Sequence, residues 1–158
     1  MKSSFKTGLS FGLTSGMITT MGLMVGLHSG THSRTVVIGG IVTIAVADAL
    51  SDAMGIHIAE ESRNNGNMSE IWESTIATFL AKFLIALTFV VPVLLLSLEV
   101  AMTVSVVWGL TLLAVLSYFL AQAQQIPAWK VIAEHVVIGV SVIAITHYMG
   151  DWIHSALG

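Results

Sequence analysis

The stretch Val46-Ala-Asp-Ala-Leu-Ser-Asp-Ala-Met-Gly-Ile-His-Ile-Ala-Glu-Glu61 decides how this chain is read. It begins inside an apolar run that reaches back to Thr35 and ends in two acids. On a helix, residues four apart share a face, so the Asp48 and Asp52 carboxylates stand together, with Gly55 and Ala59 continuing the same face. Two carboxylates inside a segment long enough to cross hydrocarbon are costly and mark a functional site with a partner to be found.

Composition supports the membrane reading. The 158 residues are 55% hydrophobic and only 9% charged, with a mean hydropathy of +0.89. A soluble domain carries about 25% charged residues, so this is an integral membrane protein of one bundle. The formal net charge of −3 and the lack of any basic run speak against nucleic acid as a partner. The lack of cysteine rules out disulfides, thiolate metal sites and thiol catalysis.

Outward from the opening stretch, hydropathy marks an all-α bundle of five transmembrane helices at about 8–27, 35–59, 74–96, 100–121 and 131–153. The first run is too long for a signal-peptide core and is followed by further spans, which makes it a retained helix. Asn64-Asn-Gly-Asn67 signals the turn before the third span, and Pro92 is expected to kink that span near its far end. Lys2, Lys6, Arg63 and Lys130 fall on one side and Arg34 on the other. The positive-inside rule therefore puts the N-terminus in the cytoplasm and the C-terminus outside. With no organelle-targeting segment, a prokaryotic plasma membrane is the expected location.

In the first span Gly8, Gly12, Gly16, Gly22 and Gly26 share a sector with Ser15 and Thr19. Small residues on one face let backbones approach closely, and a homodimer joined through this helix is the expectation. Met17, Met21 and Met24 occupy the opposite face, either as packing or as soft thioether ligands beside an ion path.

Depth suggests a partner for one of the two acids. Asp52 lies eight residues before Glu60 and Lys82 eight residues after Ser74, so each sits about 12 Å inside its helix end. The two spans are antiparallel neighbours, and an Asp52–Lys82 pair follows, static or switchable. Asp48 is deeper and has no equally good partner in the sequence, as suits a carboxylate that takes up and releases a proton. Glu60, Glu61, Glu70, Glu73, His57 and Glu134-His135 gather at the cytoplasmic mouth. There, carboxylate and imidazole suit divalent metals such as Fe²⁺ or Mn²⁺. At the outer end, His28, His32, Glu99, His147, Asp151 and His154 converge by topology. No nucleophile elbow, zinc-protease motif or phosphate-cradling loop is present, so an enzyme is not expected.

Phe11-Gly-Leu-Thr-Ser-Gly-Met-Ile-Thr-Thr-Met-Gly-Leu-Met-Val-Gly-Leu27 resembles the first helix of the vacuolar iron transporter family. Val36-Val-Ile-Gly-Gly40 with Ala49-Leu-Ser-Asp-Ala-Met-Gly55 resembles its second. The resemblance implies a homodimer that exports Fe²⁺, and often Mn²⁺, in exchange for protons, with no permanently bound cofactor. It also implies a path at the dimer interface lined by the first two helices, Ser15 and Thr19 among them. Ser15 stands where the family usually has an acid, Asp52 where it tends to have Met and Ile56 where it tends to have Glu. The long acidic insertion is reduced here to about residues 62–73. The acid is thus relocated to Asp48 and Asp52.

The expected function is therefore a proton-coupled divalent metal transporter in a lipid bilayer. Asp48, Asp52, Ser15, Thr19 and Lys82 would line the pathway, and Asp48, Asp52, Met21, Glu60, Glu61, Glu73 and His57 would be metal ligands. The alternative is a membrane scaffold or assembly subunit whose buried charges serve packing.

Overall fold

The computed structural model describes residues 3–63 and 67–157. Lys2 and the Asn64-Asn65-Gly66 part of the expected turn lie outside the described residues. The described chain is helical throughout: α1 Ser3–Thr31, α2 Arg34–Arg63, α3 Met68–Thr88, α4 Val90–Leu95, α5 Leu98–Gln124 and α6 Ala128–Leu157. Counting α3 and α4 together, five segments are long and apolar enough to cross a membrane.

Every segment overruns the limits drawn from hydropathy, except where α4 stops at Leu95. A 30-residue helix is about 45 Å long, whereas the hydrocarbon core is about 30 Å thick. Hydropathy marks the hydrocarbon, and the hydrogen-bonded ladder continues beyond it into the headgroup layer. Tryptophans 72, 129 and 152 are exposed toward the ends of their helices, as amphipathic rings at an interface are.

The third span is broken at Phe89. Pro92 has no N–H to give, and its ring crowds the carbonyl four residues back, at Thr88. The Phe89 N–H falls back on Ala86 O at 3.1 Å, and the Thr88 hydroxyl turns to Ile85 O at 2.7 Å. Arg34 Nη2 holds the following turn through Leu96 O at 2.6 Å.

Helix α1 is the hub and touches α2, α3, α5 and α6. Its glycine sector is as expected, but the neighbour is not. Gly8, Gly12 and Gly16 lie against α3, and a Cβ on Gly12 would stand 2.5 Å from Thr78 O. Gly22, Gly26 and Gly30 lie against α6 at Val142, Thr146 and Gly150. The face expected to join two copies is filled within one chain, by two helices that reach it at different heights.

The methionine face is also internal. Met17, Met21 and Met24 are fully buried in a core with Val37, Ile41, Phe89, Val93 and Leu113. A Cβ on Gly109 of α5 would strike the Met21 sulfur, so that thioether is packed against α5 and Phe89.

Candidate functional site

Asp48 occupies the middle of α2, fourteen residues after Arg34 and fifteen before Arg63. Asp52 follows one turn later on the same face, and α3 runs alongside with Lys82. The Lys82 ammonium is 2.6 Å from Asp48 Oδ2 and is also paired with Asp52 Oδ2. Its third contact is Ser15 Oγ of α1 at 2.9 Å. Ser15 in turn donates to Asp52 Oδ2 at 2.7 Å. An ammonium has three protons to give and a hydroxyl one, so the donors of this cluster are all used.

Local sequence makes room for this arrangement. A Cβ on Gly16 would lie 2.5 Å from Ile85 and 3.2 Å from the Lys82 stem. The absent side chain beside Ser15 thus lets the lysine run along α1 toward both acids. Lys82 is only 2% exposed, while Asp48 and Asp52 keep 32% and 21% of their side-chain surface. The cation is enclosed and the anions face outward. With one ammonium between two carboxylates, the cluster carries a formal charge of −1.

The expected Asp52–Lys82 pair is present, but Asp48 is not the orphan it was expected to be. Matching one acid to one base by depth overlooked the reach of lysine. Residues four apart are offset by about 6 Å along the axis, and one flexible ammonium can sit between both. The i, i+4 spacing was itself the available signal.

On its open side Asp48 faces a groove of about 450 Å³ between α1 and α2, shared with Thr19, Leu23, Ile44, Ala47 and Ser51. The Thr19 hydroxyl bonds back to Ser15 O at 2.9 Å, which leaves its lone pairs free to face the groove. Ser51 was not singled out by sequence reasoning, although it lies between the two acids in the chain. Beside the groove, Gly39, Thr43, Ala47, Ser51, Gly55 and Ala59 are all exposed, one every four residues along α2. A Cβ on Gly39 or Gly55 would meet no atom within 4 Å.

The other sequence candidates disperse. Met21 lies in the core rather than in the groove. Glu60 is 6% exposed and is paired with Arg63 at 3.1 Å. Glu61 is exposed. Glu73 accepts a hydrogen bond from Ser4 at 3.4 Å, which ties the start of α1 to α3. His57 Nδ1 lies 3.0 Å from Thr75 Oγ1, with its ring edge-on to Trp72. His135 bonds Ser117 at 2.7 Å and joins α6 to α5. Among the described residues, no group of three His, Asp or Glu side chains is disposed to hold a metal ion. The structure therefore concentrates the candidate site on Ser15, Asp48, Asp52 and Lys82, with Thr19 and Ser51 in the groove.

No protein-family model matches the chain, and no characterised protein or solved structure matches it.

Proposed function

We propose that this chain is a homodimeric, proton-coupled transporter of divalent metal, Fe²⁺ or Mn²⁺, and that Asp48 and Asp52 bind the ion in exchange for the Lys82 ammonium. One observation carries the reading. An enclosed lysine is held by two carboxylates, of which Asp48 is open to a groove at the middle of an apolar helix long enough to span a membrane. Ionisable groups at that depth mark ion and proton paths.

The charge balance gives the coupling. The empty cluster is −1, with two carboxylates and one ammonium. A divalent cation added to it would give +1, whereas a cation that displaces the lysine proton gives 0. Metal and the Lys82 ammonium thus compete for the same carboxylate oxygens, and the reading has protons move opposite to the metal. Carboxylate oxygens with the Ser51 and Thr19 hydroxyls are hard ligands, which suit Fe²⁺ or Mn²⁺ better than Cu⁺. The resemblance of the first two helices to vacuolar iron transporters supports the same substrate class and export from the cytoplasm as the direction.

The dimer contact moves from α1 to α2 in this reading. A carboxylate one-third exposed in hydrocarbon is costly and calls for cover. The row of small residues beside it admits the close approach of another helix. A second copy, brought in by two-fold symmetry, closes the groove and adds its own acids across the axis.

The test is metal uptake into proteoliposomes loaded with a pH-sensitive dye. The reading expects Fe²⁺ or Mn²⁺ flux with opposite proton movement, abolished in Asp48→Asn and Asp52→Asn. No flux for Fe²⁺, Mn²⁺, Co²⁺ or Zn²⁺ would refute transport. Flux unchanged in both variants would refute the site. The alternative, a membrane scaffold with a static charge cluster, is favoured by the fact that Lys82 already satisfies both acids. It expects the wild type to carry no metal and Lys82→Met to alter stability alone.

A further inference from the structure

Beside the break in the third span, α4 and α5 leave a groove of about 420 Å³ between them. Val91, Leu95, Leu96, Val104 and Trp108 line it, and Thr88 stands at its inner end. The polar atoms there are already used. Thr88 Oγ1 donates to Ile85 O at 2.7 Å and accepts from Trp108 Nε1 at 3.4 Å. The walls are otherwise hydrocarbon and offer nothing to a polar ligand. From Thr88 to the loop at Leu96 is eight residues, about 12 Å at helical rise, so the groove runs inward from the end of the span.

Its loop end is different in kind. Arg34, the first residue of α2, is exposed and donates from Nη2 to Leu96 O at 2.6 Å. That carbonyl belongs to the residue whose side chain closes the groove. A guanidinium presents five N–H donors in one plane, so a single bond leaves most of the fork unused. By chain order Arg34 is the one lysine or arginine at this end among the described residues, since Lys6, Arg63 and Lys130 lie at the other end and Lys82 between them. Ser97, next along from Leu96, is exposed and caps no N–H, which leaves its hydroxyl as a further donor. The Glu99 carboxylate turns toward His28, 3.5 Å from its Nε2.

We propose that this groove holds an acyl chain of an anionic phospholipid whose phosphate rests on Arg34. The two parts of such a molecule match the two parts of the site in order. The charged head belongs at the level of a helix end, and the chain runs inward from it. Arginine suits a phosphate because its planar fork gives paired N–H bonds to two oxygens. The flank around the groove is apolar and exposed at Leu94, Leu95, Val104 and Val107, so in a bilayer the groove opens on lipid rather than on water. A zwitterionic phospholipid fits the same walls but brings its own cation to the phosphate, which offsets part of the attraction to Arg34. Preference for an anionic head is therefore the mark of the site. The groove is separate from the one beside Asp48, which α1 and α2 form, and it does not depend on transport.

The experiment is tryptophan quenching in phosphatidylcholine vesicles that contain a minor fraction of phosphatidylglycerol, with bromine on the acyl chains of one lipid or the other. The full chain keeps Trp108 and carries Trp72→Phe, Trp129→Phe and Trp152→Phe. Trp108 lines the groove and is 44% exposed, so it reports the lipid that lies there. Mole for mole, brominated phosphatidylglycerol should quench as if enriched about 5-fold over phosphatidylcholine, the weight of one basic residue at a membrane surface. The enrichment should vanish in Arg34→Gln and weaken at high salt. It should persist at reduced strength in Arg34→Lys, which keeps the charge but not the fork. A chain that keeps only Trp152, at the same end of the bundle but on α6, which packs on α1 and α5, should show none. Equal quenching of Trp108 by the two lipids, enrichment indifferent to Arg34→Gln, or the same enrichment at Trp152 overturns the site. Quenching by neither lipid also overturns it, and assigns the groove to a second copy of the chain.

Discussion

Replacing Lys82 by Met tests whether the central cluster is a single electrostatic unit. The methionine fills nearly the same volume, so the change removes a charge rather than a shape. Breaking a buried ion pair by removing one partner costs about 3–5 kcal/mol, because the other charge is left uncompensated. Here the uncompensated charges are Asp48 and Asp52, which keep 32% and 21% of their side-chain surface. Access of this kind softens the penalty, which puts the loss at the lower end, about 3 kcal/mol. In a chain of this length that corresponds to about 6–12 °C in Tm. Asp48→Asn alone should cost only about 1 kcal/mol, since Lys82 keeps Asp52 and Ser15. Adding Asp48→Asn and Asp52→Asn to Lys82→Met should recover most of the loss, because no charge then lacks its counterion. Thermal unfolding followed by circular dichroism in detergent reads all the variants. A triple variant no more stable than Lys82→Met would refute the reasoning, as would a Lys82→Met variant as stable as the wild type.

Ser15→Ala removes the hydroxyl that joins Lys82 to Asp52 and should cost about 1.5–3 kcal/mol in the same unfolding measurement. Gly12→Leu drives a side chain into the Thr78 carbonyl and should destabilise the chain by about 3 kcal/mol or more, from forced separation of α1 and α3. A Cβ on Gly55 meets no atom within 4 Å, so Gly55→Leu should not destabilise the chain while lowering the dimer fraction in cross-linking or native mass spectrometry. The opposite pattern for these two leucines would put the copy-to-copy contact back on α1. Gly109→Ala presses on the flexible Met21 thioether and should cost about 1 kcal/mol, less than Gly12→Leu because sulfur can move where a backbone carbonyl cannot.

Much of this architecture is legible in the sequence. Hydropathy located five spans because a run of apolar residues is a one-dimensional property of the chain. Depth counting from the two helix ends found Asp52 and Lys82, because antiparallel neighbours share a ruler. The rest involved identities of neighbours that periodicity does not carry. The glycines of α1 showed which sector was smooth, but not that α3 and α6 would occupy it. The methionines showed a face, but not that the face was the core. Asp48 was left without a partner because counting assigned one base to one acid, whereas a lysine stem spans a helical turn. Pro92 announced a disturbance, and its missing donor located the break at Thr88 and Phe89 only once the ladder was in view.

The small residues of α2 recur every fourth position, whereas the helix turns every 3.6. The row therefore drifts by about 40° at each step, and from Gly39 to Ala59 it winds more than halfway around the helix. A straight neighbour cannot follow such a winding row along its whole length. In the dimer proposed above, two copies meeting along it would cross steeply, at about −40°, as close-packed membrane helices with this spacing do, with their axes nearest at Ala47 and Ser51, beside Asp48. About 15 Å further along in either direction, such a crossing would carry the axes sideways by about 10 Å. The proposed pair would thus be narrowest beside the carboxylates and open toward both ends.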